Sequence, residues 1–298
     1  MSDVSPEQVL REVARAVPHD FLENIVVIGS LAAGYHFFRN EPSLQVRTKD
    51  IDCILRPRLV AVEAGVAIAN QLIRMGWIPR KEGPFTEPGT SITPDSELPA
   101  VRLYPPDSVA WFIELLTVPR SEVEGDSWTR LELKSGHYGL PCFRFLSIAA
   151  YNPVKTEFGL YCARPEMMAL ANLLEHPVIG EQTMSGLFAG RRIKRSNKDL
   201  GRVIALARLS NDETETWPAV WKDALMACFP TMWRELALCA GNGLRVLLNS
   251  HEDFSEAFVT CTNGLLAHYG VTEDQLQVTG QRLLQDAILP LERAAEMD

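Results

Sequence analysis

Arg47-Thr48-Lys49-Asp50-Ile51-Asp52-Cys53-Ile54-Leu55 is the stretch on which the fold turns. Alternation along a strand sends Asp50 and Asp52 to one face and Ile51 and Cys53 to the other. Two carboxylates aimed to one side can share one or two hard divalent cations, which favour oxygen ligands. By itself a D-x-D is a weak signal, because ordinary strands also begin in solvated acids. Its neighbours sharpen it. Upstream, Ile25-Val26-Val27-Ile28 is an unbroken β-branched run of the kind buried on both faces of a sheet. It halts at Gly29-Ser30, before a helical stretch from Leu31 to Phe38. Downstream, Glu114 is an isolated acid in Trp111-Phe112-Ile113-Glu114-Leu115-Leu116-Thr117-Val118. A buried, unpaired carboxylate is expensive, so Glu114 reads either as a third acid of the cluster or as the outward acid of an edge strand.

Gly29 and Ser30 add a second chemistry to the acids. A glycine lets the backbone approach a phosphate closely, while a serine hydroxyl and helix N-terminal amides offer donors to it. Strand, G-S, helix, D-x-D strand and isolated strand acid, in that order, point to a metal–nucleotide site. The rival dinucleotide reading, on Gly29-x-x-x-x-Gly34, lacks the G-x-G-x-x-G that such a site requires.

Outward from this centre, Ser5-Pro6-Glu7 reads as an N-cap with proline at the first helical position, followed by the apolar stripe Val9, Leu10, Val13 and Val17. An amphipathic helix is expected over 59–75, a strand start at Trp77-Ile78, and a loop over 83–99. Strands are expected at 101–104 and 110–118 about the turn Pro105-Pro106-Asp107, and further short strands over 129–163, broken at Gly136, Gly139 and Pro153. After Pro165 the pattern becomes helical, over 165–176, 181–190, 196–209, 217–228, 231–248, 252–269 and 273–296. A boundary near residue 164 therefore separates an α/β half, 1–164, from a helical half, 165–298.

Gly29-Ser30-Leu31-Ala32-Ala33, Thr48-Lys49-Asp50-Ile51-Asp52 and Phe112-Ile113-Glu114-Leu115-Leu116 together resemble the minimal nucleotidyltransferases of the polymerase-beta-like superfamily. Within it the chain looks most like the bacterial abortive-infection toxin-type enzymes. The resemblance covers roughly residues 21 to 209. It implies an α/β (α+β) chain, a nucleotidyltransferase-fold mixed sheet with flanking helices followed by an all-helical C-terminal domain. It also implies Mg²⁺ (or Mn²⁺) on Asp50, Asp52 and Glu114, with an NTP as substrate whose triphosphate Gly29 and Ser30 hold. The expected reaction is transfer of a nucleoside monophosphate to an acceptor hydroxyl on RNA, protein or a small molecule, in a toxin–antitoxin or phage-defence setting with a possible antitoxin partner. The alternative is a catalytically weakened homologue that binds nucleotide or a partner.

The toxin-type families also carry a lysine early in the helical half and a later K/R-D-x-x-D segment. Arg164-Pro165-Glu166-Met167-Met168-Ala169-Leu170-Ala171-Asn172-Leu173 resembles the start of that segment, and Lys198-Asp199-Leu200 the later one. Ala171 or Asn172 stands where the lysine is expected, and Gly201 or Arg202 where the second acid is. The basic run Arg191-Arg192-Ile193-Lys194-Arg195 with Lys198 reads either as a solvated helix face or as cations that replace the lysine and meet an anionic acceptor. Arg39 and Arg47 are further candidates to meet phosphate.

Bulk properties set the frame. With 298 residues, 46% hydrophobic and 22% charged, the chain is of ordinary globular composition. A net charge of −9 argues against coating nucleic acid by bulk electrostatics. Six cysteines without a C-x-x-C pair read as reduced, mostly buried thiols. No apolar run approaches the roughly 20 residues of a bilayer span, so a soluble, cytoplasmic protein without membrane partners is expected.

Overall fold

The apolar runs of the first half come together as a mixed sheet, and the acids ride on its middle strands. The computed structural model describes residues 2–41, 44–82, 85–188 and 190–297. It divides into two units, Met1–Ala163 and Arg164–Asp298. In chain order the first unit contains β1 (Ser2–Val4), α1 (Pro6–Ala16), β2 (Ile25–Val27), α2 (Gly29–Phe38), β3 (Val46–Thr48) and β4 (Asp50–Leu55). There follow α3 (Ala61–Arg74), β5 (Ile78–Pro79), β6 (Arg102–Tyr104), β7 (Phe112–Thr117), β8 (Ser127–Leu133) and β9 (Gly136–Cys142). The unit ends with α4 (Leu146–Ala149), β10 (Val154–Lys155) and β11 (Tyr161–Cys162).

The main sheet runs β10-β11-β2-β4-β7-β6-β5, and the β8–β9 hairpin joins it through β9 and β7. β4 is antiparallel to β2 and parallel to β7, so the sheet is mixed. Ile25, Val26 and Val27 of β2 and Cys53, Ile54 and Leu55 of β4 are fully buried, as two-faced strands require. β1 and β3 form a separate two-stranded ribbon. Ser5 caps α1 by accepting from the Gln8 N–H, with Pro6 in the first turn.

The second unit is helical: α5 (Pro165–Glu175), α6 (Arg195–Ser210), α7 (Trp217–Cys228), α8 (Trp233–Cys239), α9 (Asn242–Asn249), α10 (His251–Thr262), α11 (Glu273–Leu283) and α12 (Leu289–Met297). Its α6 lies against α5, α10 and α11. Gly201 is where the backbones of α6 and α10 touch: a Cβ there would lie 2.8 Å from the Ala257 carbonyl oxygen and 2.4 Å from Thr260 Oγ1. Trp221 is wholly buried, its indole N–H donating to the Glu166 carbonyl at 2.8 Å. Among the described residues no helix is long and apolar enough to cross a membrane.

Several expectations need correcting. Gly139 does not break a strand, because β8 and β9 pair without interruption from Ser127↔Cys142 to Leu133↔Gly136. Residues 181–190 form no helix among the described residues; backbone bridges Thr183↔Lys194 and Phe188↔Arg191 hold that segment instead, and residue 189 lies outside the description. The expected helix 231–248 is two helices parted at Gly241, a poor residue for a helix interior. Helix 252–269 stops at Thr262, ahead of Asn263-Gly264. Within 273–296 a π-turn over Leu284–Ile288 separates α11 from α12. The 83–99 loop contains one short 3₁₀ turn, Asp95–Glu97, and residues 83 and 84 lie outside the description.

Candidate active site

Strand pairing brings the acids together. In the parallel β4–β7 ladder Asp50 stands opposite Phe112 and Asp52 opposite Glu114. Paired positions share a face of the sheet, so the three carboxylates lie on one side although Asp52 and Glu114 are more than sixty positions apart in sequence. Asp50 is exposed at the strand end, Asp52 half-buried, and Glu114 buried. Thr48, itself buried, donates its hydroxyl to Asp50, 3.0 Å from the backbone oxygen and 3.1 Å from Oδ1. That contact fixes the bend between β3 and β4 and orients the first acid.

The G-S segment lies beside the same acids. The Ile28 N–H donates to the Asp52 carbonyl at 2.9 Å, prolonging the β2–β4 ladder by one bond before the chain enters α2. Gly29 then takes φ +76, a backbone conformation that side chains disfavour, and the point where its Cβ would sit is 3.5 Å from Asp52 Oδ2. Gly29 and Ser30 thus form the first turn of a ten-residue helix whose amides begin next to Asp52.

A residue not singled out from sequence dominates the local electrostatics. Arg102 pairs with Glu114 across the antiparallel β6–β7 ladder. Its Nε donates to Oε2 and one terminal nitrogen to Oε1, both at 2.9 Å, the two-pronged geometry that makes guanidinium–carboxylate pairs strong. Burial works against the charge on Arg102, but Glu114, with Asp52 and Asp50 behind it, outweighs burial and raises the guanidinium above the usual arginine range. One signal for Arg102 was present: it lies in the strand before the turn at residues 105–107. A tight turn there pairs it with Ala110, whereas the actual connection is longer and shifts the register to Glu114. Beyond Arg102, the Arg80 N–H donates to the Arg102 carbonyl at 2.9 Å, and the Arg80 guanidinium lies 4.1 Å from the centre of the Phe112 ring.

The remaining predicted residues have contacts of their own. Arg47 on β3 pairs with Asp3 on β1 at 2.9 Å, at the surface. Arg39 stacks over the Tyr35 ring, 6.0 Å from its centre. Lys198 and Asp199 belong to α6 of the helical unit. There Asp199 is buried, 3.0 Å from His176 Nε2 and 3.9 Å from each of Arg195, Lys198 and Arg202. Burial opposes the Asp199 charge, but the His176 hydrogen bond and the Lys198 and Arg202 charges prevail and lower its pKa to about 2. Of the basic run, Lys194 is engaged by Asp253 at 2.9 Å, and its N–H donates to Glu256.

The donor chemistry suits a hard divalent cation. Asp50 and Asp52 offer oxygens from alternate positions of one strand, and the backbone of Gly29 runs close beside Asp52 Oδ2. Glu114 supplies the same kind of oxygen but has both engaged by Arg102, and among the described residues no three His, Cys, Asp or Glu side chains converge into a group that would hold a metal ion. Asp50, Asp52 and Glu114 thus share one face and the oxygen chemistry such a cation takes, with Thr48 on Asp50 and Arg102 on Glu114 as their present partners. No family model matches the chain, and no curated protein matches it.

Proposed function

We propose that this protein is a metal-dependent nucleotidyltransferase that moves a nucleoside monophosphate from an NTP to an acceptor hydroxyl. One observation carries the reading: Asp52 faces Glu114 in register, with Asp50 two residues along the same strand and the Gly29 turn against Asp52. Asp50 and Asp52 are the residues to hold Mg²⁺ or Mn²⁺, with Glu114 completing the oxygen set. When bound, the metal supplies positive charge to the triphosphate and acidity to the attacking hydroxyl. The first-turn amides of α2, opened by Gly29, are placed to donate to phosphate oxygens, and the Ser30 hydroxyl to join them. The acceptor oxygen then bonds to the α-phosphorus as the bond to pyrophosphate breaks, and the hydroxyl proton passes to solvent. RNA, a protein side chain and a small molecule are the acceptor classes to be distinguished. A toxin–antitoxin or phage-defence setting, with an antitoxin as partner, follows from the sequence resemblance alone.

A specific observation favours a second reading. Glu114 is occupied by Arg102, and the position where the toxin-type enzymes carry a later acid is either Gly201, which has no room for a side chain, or Arg202 beside Asp199. A nucleotide- or partner-binding protein without transfer activity accommodates both facts. Incubation with each α-³²P-labelled NTP, Mg²⁺ or Mn²⁺, and total RNA or lysate separates the two readings, with the Asp50→Ala/Asp52→Ala protein alongside. Label on RNA, protein or a small molecule only with the acids intact supports transfer and identifies the acceptor class. Nucleotide binding by calorimetry without label supports the second reading.

A further inference from the structure

Three neighbouring strands and the residue that follows a fourth, β5, set charged residues in one row: Asp52, Glu114, Arg102 and Arg80. Glu114 stands in the middle of it, an acid on one side and a guanidinium on the other. Its side chain is only 11% exposed and that of Arg102 31%, so water competes weakly for either partner. The guanidinium fork uses one lone pair on each carboxylate oxygen, along the edge that a chelated cation would need. A cation at Asp50 and Asp52 also changes the charge balance. Without it, three carboxylates surround one guanidinium; with it, two added positive charges sit on the far side of Glu114 and repel Arg102.

We infer that Arg102 and a divalent cation are alternative partners of Glu114, so that Arg102 is a positioning residue whose fork holds the third acid away from the metal until a cation on Asp50 and Asp52 displaces it. The inference rests on the metal site proposed above. It gives Arg102 control over how tightly the cation is held and over when the three-acid set is complete. Arg80 stays in place during the exchange, because its guanidinium lies over Phe112 and pairs with Glu82.

Mn²⁺ binding to the full chain, followed by electron paramagnetic resonance and calorimetry, tests it. Arg102→Lys retains a positive charge but loses the fork. Loss of one charge-assisted hydrogen bond to the acid is expected to tighten Mn²⁺ binding about tenfold. In a Glu114→Gln background the same substitution should change nothing, since the contested ligand is gone. On the unsubstituted chain, saturating Mg²⁺ should shift the Arg102 Nε–H resonance and hasten its exchange with solvent as the side chain is released. Unchanged Mn²⁺ affinity in Arg102→Lys, or an Arg102 resonance unmoved by Mg²⁺, overturns the inference while Asp50- and Asp52-dependent binding leaves the metal site standing. Absence of any Mn²⁺ binding that depends on Asp50 and Asp52, in Arg102→Lys as well as in the unsubstituted chain, overturns the metal site and the inference together.

Discussion

Glu114 in the sheet and Asp199 in the helical unit are both buried carboxylates paired with basic side chains, and they reach that state by opposite routes. Glu114 has one partner, Arg102, fixed in a two-pronged contact by the register of two strands. Asp199 has four basic neighbours; Arg195, Lys198 and Arg202 come from its own helix, and His176 supplies the close bond. Local spacing therefore places most of the charge around Asp199 in sequence, where positions three and four apart share a helix face. Non-local pairing places the charge around Glu114. The first arrangement suits a structural carboxylate that keeps its ionisation. The second leaves one directional contact that another cation can replace.

The comparison breaks most sharply through activity. Asp52→Asn is expected to lower nucleotidyl transfer by about 10⁴-fold, the scale of removing one member of a catalytic set, with thermal stability little changed. Transfer that survives it would reduce the sheet acids to structural groups like Asp199. Next, Asp199→Ala should destabilise the protein by roughly 2–3 kcal/mol in denaturant unfolding, because it removes the buried acceptor of the His176 hydrogen bond, while leaving Mn²⁺ affinity at the sheet unaltered.

The pH dependence of Asp199 follows from its lowered pKa. The ordinary value of 3.8 falls to about 2 on folding, so the native state binds the proton less readily. Its stabilisation is complete above about pH 4 and is lost as pH falls from there through about 2. The full effect is on the order of 2 kcal/mol. Unfolding midpoints measured between pH 5 and 2 should converge for the unsubstituted chain and Asp199→Asn at the acid end.

Smaller still is Gly29→Ala. The added Cβ meets Asp52 Oδ2 at an ordinary contact distance of 3.5 Å, but φ +76 must be retained. Backbone strain of about 1–2 kcal/mol is expected, read as a lowered unfolding midpoint and weaker NTP binding. Arg47→Ala should cost least, under about 1 kcal/mol, since its pair with Asp3 is solvent-exposed. A loss of NTP affinity in that variant without loss of stability would mark Arg47 as a phosphate contact.

How much of this was legible depends on which interactions are local. The mixed α/β class and the helical C-terminal region followed from periodicity, because Ile25–Val27 and the stripe in α1 carry their own patterns. Asp50 and Asp52 share a face by strand alternation alone. That Glu114 lies opposite Asp52 required the pairing of distant strands, which no local pattern specifies. Arg102 was missed for the same reason: its register depends on a connection longer than the turn at residues 105–107 announces. The helix expected over 181–190 failed because two bridges to the residues preceding α6 claim its backbone groups. The charged pair Lys198-Asp199 was visible in sequence, but not that Gly201 beside it is held small by the approach of α10.

The β4–β7 register also dictates where the gene tolerates change in length. Side-chain direction reverses with every residue of a strand, so one codon added or removed between Asp50 and Asp52, or between Phe112 and Glu114, sends an acid to the opposite face. The same alteration in the connection between β7 and β8, residues 118–126, moves none of them. Relatives of this protein should therefore differ freely in length across that connection while keeping both short strand segments free of insertions and deletions. Frame, more than residue identity at any flanking position, is the heritable property on which the three-acid arrangement depends.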